Sequence, residues 1–186
     1  MPSLPISILY NLKEDFKQYP IFIETGTYLA DTSRTMEPVF DKVYSIEFDE
    51  RLHYNAKMRY STNKLKFLLG DSSIVLPELL PTINDNVIFF LDGHWSLGIT
   101  GRGAKDCPLV EEITHINNLF RNKAIIIIDD FRLFGTAPSD GICTVDWVNI
   151  NKDDLLAIVK GRTDQVYHLP SELANDDRLI IHLNKS

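Results

Sequence analysis

Everything else in the chain can be read outward from Tyr19-Pro20-Ile21-Phe22-Ile23-Glu24-Thr25-Gly26-Thr27-Tyr28-Leu29-Ala30-Asp31-Thr32-Ser33. A short apolar run ends in a carboxylate, Glu24, and opens into small residues that lead toward a helix. In an open α/β sheet that order presents a nucleotide-like ligand at the first crossover. The strand delivers the acid, Gly26 permits a left-handed or close-approach backbone, and the next helix exposes its free N–H groups.

On either side, apolar runs with polar stops alternate with helical patterns. Upstream, Leu9, Leu12 and Phe16 predict a covering helix over Ile8 to Lys17, ended by Tyr19-Pro20. Downstream, a helix follows from about Asp31, with Asp31 or Thr32 as N-cap and Pro38 as a kink or early stop. Strands are expected over 43–47, 65–69, 87–91 and 124–128, and the last of these, Ala124 to Ile128, reads as the sheet centre. Helices are expected over Glu50 to Tyr60, over Ser72 to Leu80 broken around Pro77, from Pro108 at N1, and over Asp153 to Lys160. Two glycine- or proline-punctuated loops, Gly93 to Cys107 and Phe131 to Asn149, are long enough to be lids or binding elements. Gln165 to Leu169 and Arg178 to Leu183 predict an antiparallel closing pair. The fold class is therefore α/β: a Rossmann-like, doubly wound, mostly parallel sheet with right-handed crossovers and an antiparallel edge.

The 186 residues, 44% of them hydrophobic, suit a single domain spanning 1–186. A formal net charge of −7 argues against a broad nucleic-acid footprint. Cys107 and Cys143 are far apart and form no CxxC pair, so reduced thiols are expected. With no signal-like start and no bilayer-length apolar run, a soluble, cytoplasmic protein without a membrane partner is expected.

Parallel strands would bring four acid-bearing ends, Glu24, Glu47, Asp92 and Asp129-Asp130, to one rim, where open α/β sheets bind ligands. Glu47, closing the second strand, stands where a carboxylate accepts from ribose hydroxyls; a surface acid capping the next helix is the plainer alternative. Asp71, in Gly70-Asp71-Ser72, can reach an adenine amine or simply cap a helix. A dinucleotide oxidoreductase would need G-x-G-x-x-G, and Gly26 has no partner glycines.

At these residues the sequence resembles the class I S-adenosylmethionine-dependent methyltransferases, from about Phe22 to Gly135 and through the closing strand pair. Phe22 to Thr27 looks like the first motif, Tyr44-Ser45-Ile46-Glu47 the second, Gly70-Asp71-Ser72 the third and Phe90-Leu91-Asp92-Gly93-His94 the fourth. Tyr28 and Ala30 stand where further glycines are usual, a variant similar to small metal-dependent O-methyltransferases. The resemblance implies S-adenosylmethionine held by Glu24, Gly26, Thr27, Tyr28, Glu47, Asp71, Ser72 and Asp92. It also implies Mg2+ or another divalent cation on Asp92, Asp129 and Asp130, against the acceptor's oxygens.

Adjacent carboxylates at a strand's end need a cation, a basic partner or water to stay ionised. A divalent ion meets that need, as would a pairing of Asp129 with Arg132 or Arg102 while Asp130 caps the following loop. Methyl transfer to oxygen needs the hydroxyl proton removed, and His94 beside Asp92 is the candidate acceptor; a structural turn histidine is the alternative. Tyr28, Trp95, Phe131 and Trp147 are candidate walls for adenine or acceptor. His53, His115, His168 and His182 fall within strand or helix patterns and read as packing or surface residues. The expected activity is O-methylation of a small-molecule or sugar hydroxyl. Metal-independent methyl transfer and a non-catalytic adenosylmethionine-binding subunit are the alternatives. Small enzymes of this kind often form homodimers, and the sequence leaves assembly open.

Overall fold

In a computed structural model of the chain, residues 3–95, 103, 105–136 and 147–186 are described. The strands are β1 (Ile21–Thr25), β2 (Lys42–Glu47), β3 (Leu65–Leu69), β4 (Val87–Leu91), β5 (Ala124–Ile128), β6 (Thr163–Leu169) and β7 (Arg178–Leu183). The helices are α1 (Asp31–Met36), α2 (Glu50–Tyr60), α3 (Ser72–Leu79), α4 (Leu109–Leu119) and α5 (Lys152–Val159). Among the described residues the strands make one sheet of order β3-β2-β1-β4-β5-β7-β6. Pairings from β3 to β5 are parallel, and β7 runs antiparallel to both β5 and β6.

Because side chains alternate across a strand, each apolar strand feeds two cores. Ile23, Phe89, Ile126 and Ile181 pack on one face against Leu76 of α3, Ile113 and Ile116 of α4, and Leu155 of α5. Phe22, Phe90, Ile127 and Ile180 point to the other face, covered by Met36 of α1, Ala56 of α2 and the N-terminal segment through Leu4, Ile8, Leu9, Leu12 and Phe16. No helix among the described residues is long and apolar enough to cross a membrane.

Several local expectations change. The N-terminal cover is two 3-10 turns, Ile6–Asn11 and Phe16–Gln18, in place of one helix. Leu12 is extended, and the Asp15 carboxylate accepts from the Lys17 N–H to start the second turn. The central strand is β4, because β7 and β6 extend the sheet by two strands beyond β5. Neither Asp31 nor Thr32 caps α1: the N-cap is Ala30, left-handed at φ 67°, and Thr32 Oγ1 instead accepts from the Leu4 N–H at 3.0 Å. Helix α1 stops at Met36, ahead of Pro38. Helix α3 continues through Pro77 without breaking, and Pro108 is the N-cap of α4.

Candidate active site

The rim is built by backbone bonds that continue the ladder one step past each strand. The Gly26 N–H donates to Ile46 O (2.9 Å), Asp92 N–H to Thr25 O (3.2 Å), Asp129 N–H to Leu91 O (3.2 Å) and Gly70 N–H to Glu47 O (2.9 Å). Glu47, Asp92 and Asp129 are therefore held at one level of the rim, with Glu24 two residues below it on β1. Gly26 sits at φ 85°, and a Cβ there would lie 2.4 Å from the Asp92 carbonyl oxygen, so only glycine lets β1 and β4 end this close together. Tyr28 (φ 48°) and Ala30 (φ 67°) are also left-handed, which turns the chain tightly back into α1.

That turn aims the Tyr28 N–H at Glu47 Oε2 (2.8 Å), while the Asp49 N–H reaches Glu47 Oε1 (2.8 Å). Burial raises the Glu47 carboxyl above its ordinary range, and these two N–H groups oppose the rise. Glu47, Gly26, Tyr28, Asp71, Ser72 and Asp92 line one cavity of about 560 Å³, together with His94 and Trp95. Asp71 caps α3, its Oδ1 accepting from the Ser73 N–H at 2.9 Å, and the residue also lines the cavity. Glu24 and Thr27 lie outside this cavity. They line an adjoining cleft of about 310 Å³ that shares Gly26, Tyr28 and Asp92 and is also bordered by Ser3. Thr27 Oγ1 is 2.6 Å from Ser45 Oγ, a buried contact joining β1 to β2. Glu24 is fully buried with Oε2 unpartnered, and burial pushes its pKa up to about 8 against the Ser45 and Ser33 hydroxyls.

Around the acids, His94 lies between two carboxylates, with Nδ1 3.4 Å from Asp92 Oδ1 and Nε2 3.1 Å from Asp130 Oδ2. Because β7 is reversed, Leu179 pairs with Ile128 and the preceding Arg178 arrives at the rim, its Nε 3.2 Å from Asp129 Oδ1. Arg132 pairs with Asp130 and with Asp177 Oδ2 (2.6 Å), which also accepts from Ser171 Oγ at 2.5 Å. Asp129 therefore pairs with Arg178 and not with Arg132, and Asp130 makes no side-chain cap. Burial raises Asp92 well above the ordinary carboxylate range, with Asp129 and Asp130 adding repulsion. Burial also lifts Asp129 to about 6 against the pull of Arg178. At Asp130 burial is outweighed by His94 and Arg132, which hold it below its usual value.

The three acids proposed for a metal are neighbours on this rim, but the groupings whose ligand atoms lie within 4.8 Å of one another are Asp92–His94–Asp130 and Asp129–Asp130–Asp177. Asp177, Arg178 and Glu112 were not among the residues singled out from the sequence. Glu112 is buried on α4 with Oε1 unpartnered and is raised to about 7 by burial. It occupies the same helical stripe as Leu109, Ile113 and Ile116, a signal that marks it as inward-facing. Trp95 and Tyr28 wall the main cavity, and Lys105 joins them while pairing with Glu111. Trp147 stacks edge-on against His94 at 5.0 Å, whereas Phe131 packs on Phe134 and His168. His53 Nε2 donates to Phe67 O (3.2 Å), and His182 is buried beside Tyr167, both packing roles. Arg102, Cys143 and most of both long loops lie outside the described residues.

No protein-family model and no curated protein matches the chain. Solved structures do. The O-methyltransferase TomG from Streptomyces achromogenes, in complex with S-adenosylmethionine, aligns with a TM-score of 0.62 at 17% identity over 92% of this chain and 75% of its own. An rRNA methylase from Streptococcus thermophilus aligns at 0.54 and 17% over 100% and 98%. The N-methyltransferase NodS from Bradyrhizobium japonicum aligns at 0.57 and 10% over 96% and 93%. The acceptors named in those three differ, so what they share is architecture: this chain has the Rossmann-like fold of S-adenosylmethionine-dependent methyltransferases.

Proposed function

We propose that the protein is an S-adenosylmethionine-dependent methyltransferase acting on a hydroxyl of a small molecule or sugar, with a divalent ion at the β4–β5 rim. The carrying observation is that the Gly26 turn, Glu47 and Asp71, from three different strand ends, open into one cavity of about 560 Å³. Glu47 is held by two backbone N–H groups yet keeps lone pairs for a ribose, and Asp71 stands further along for an adenine amine. Toward β4, Glu24 Oε2 is buried and unpartnered and Asp92 Oδ1 meets only the His94 ring at 3.4 Å, a polarity that suits the cationic end of adenosylmethionine and not a pyrophosphate. The net charge of −7 supports a small-molecule or glycan acceptor over nucleic acid.

Adenosylmethionine supplies a methyl group on a sulfonium, open to in-line displacement by an oxygen. The protein's work is to place that oxygen and take its proton. Asp92, at the junction of cavity and cleft, and His94, held between Asp92 and Asp130, are the groups at that point. A divalent ion on these acids would supply acidification of the hydroxyl. A metal-free reading is favoured by a separate observation: Arg178 and Arg132 already offset Asp129 and Asp130, which leaves less negative charge for an ion to balance.

Thermal unfolding with S-adenosylhomocysteine or NAD tests the cofactor. At 100 times its dissociation constant the homocysteine product should add about 2.7 kcal/mol. Equal stabilisation by both compounds, or by NAD alone, refutes the methyltransferase reading. Once an acceptor is in hand, full turnover in excess EDTA selects the metal-free form.

A further inference from the structure

We propose that the ion's ligands are Asp92, His94 and Asp130, and that the mixed nitrogen and oxygen set takes Mn2+, Co2+ or Zn2+ in preference to Mg2+. This rests on the divalent-ion part of the proposed function and is independent of the cofactor. One ligand atom from each of the three residues lies within 4.8 Å of the other two. The imidazole sits between the carboxylates, 3.4 Å from one and 3.1 Å from the other. Asp92 is 9% exposed, and no directed hydrogen bond reaches its Oδ1, so a buried acceptor faces the His94 ring unsatisfied.

The remaining charges are arranged as an outer layer around this trio. Asp130 presents Oδ2 to His94, while its Oδ1 is taken by Arg132, whose guanidinium is itself anchored on Asp177. A second oxygen held in this way fixes a monodentate carboxylate ligand. Asp129 is removed from the set by Arg178, a guanidinium 3% exposed and always charged. In the alternative grouping of Asp129, Asp130 and Asp177 each carboxylate is already paired with Arg132 or Arg178, which occupies the oxygens an ion would need.

Ligand chemistry then selects the ion. Mg2+ takes oxygen ligands and keeps much of its water, whereas imidazole suits Zn2+ and its neighbours and carboxylate suits Mn2+. Two carboxylates with one imidazole favour an ion that accepts both. With His94 as a ligand it would not act as the base; the ion would lower the hydroxyl's pKa and the proton would pass to solvent.

Calorimetry on chelator-treated protein with MnCl2 and MgCl2 tests this, together with pulsed electron paramagnetic resonance of the Mn2+-loaded wild type. One Mn2+ site is expected, at least about tenfold tighter than Mg2+, with a nitrogen coupling from the imidazole in the resonance spectrum. His94→Ala and Asp130→Asn should each weaken Mn2+ by about tenfold or more. The wild-type nitrogen coupling keeps the proposal decidable if either variant fails to fold. Absence of an Mn2+ site, absence of the nitrogen coupling, equal affinity for Mg2+, or unchanged Mn2+ affinity in folded His94→Ala would each overturn it. S-adenosylhomocysteine binding without Mn2+ binding refutes the ion site alone; the reverse refutes the cofactor reading alone.

Discussion

The N–H of Tyr28, a residue in the left-handed region, donates to Glu47 Oε2 at 2.8 Å, so the turn after β1 fixes the carboxylate that ends β2. Position and orientation of that acid are thus set before any ligand arrives. Glu47→Ala should weaken S-adenosylhomocysteine binding by roughly 1.5–3 kcal/mol, the worth of hydrogen bonds to a charged group. It should also loosen the Tyr28 turn, since the Tyr28 and Asp49 N–H groups lose their acceptor. Calorimetric titration reads the first effect, and unchanged affinity would move the ribose site elsewhere.

Gly26 carries a different constraint, in which bulk and backbone conformation act together. Gly26→Ala places a methyl 2.4 Å from the Asp92 carbonyl oxygen at a φ of 85°. The substitution should destabilise the fold by more than about 1 kcal/mol and separate the β1 and β4 ends. Urea unfolding measures the loss, and wild-type stability would mean that the two ends are not packed as described.

Arg162 offers a control far from the rim. Its guanidinium donates to Phe120 O (2.6 Å), Asn122 O (2.8 Å) and Asn184 O (3.0 Å), tying the end of α4 to the chain's last strand. Arg162→Ala should cost roughly 2–3 kcal/mol by leaving buried carbonyls unpaired. Cofactor affinity measured well below the melting temperature should stay within error of wild type.

The pH dependence follows from two buried acids. Burial raises Glu24 to about 8 and Glu112 to about 7, against an ordinary value of 4.5. In the unfolded chain both ionise near 4.5, while the folded protein holds their protons to higher pH, so their contribution to stability falls as pH rises toward the folded values. Melting curves without ligand should therefore show Glu24→Gln gaining on the wild type between about pH 5 and pH 8. Parallel curves would show that Glu24 is already ionised in the folded state.

Much of this molecule can be read directly from the chain. Apolar runs such as Val87 to Leu91 and Ala124 to Ile128 can only be strands covered on both faces, and each stops at the acid that marks the rim. Gly26, Glu47 and Asp71 converge because parallel pairing in register leaves their strand ends no other place. The N-terminal helix failed although Leu4, Ile8, Leu9, Leu12 and Phe16 would share one helical face: the chain is extended at Leu12, and the Asp15 carboxylate starts a separate turn. The partner of Asp129 and the anchor of Arg132 were invisible for another reason. Arg178 and Asp177 lie about fifty residues downstream, and only the reversal of β7 brings them alongside. Local pattern carries strand ends; it does not carry which charge a distant antiparallel strand will deliver.

The reversed strand also makes the final hairpin and the acids of β5 inseparable as a module. Were β7 parallel, its last residue, Leu183, would meet the rim in place of Arg178, and Asp129 would face the core without a counter-charge. A chimera that exchanges the closing hairpin would keep the acids without Arg178 and without the Asp177 anchor of Arg132, and should be insoluble or refold around protonated carboxyls. Exchange of parts within this architecture must therefore move Asp129, Asp130, Asp177 and Arg178 together.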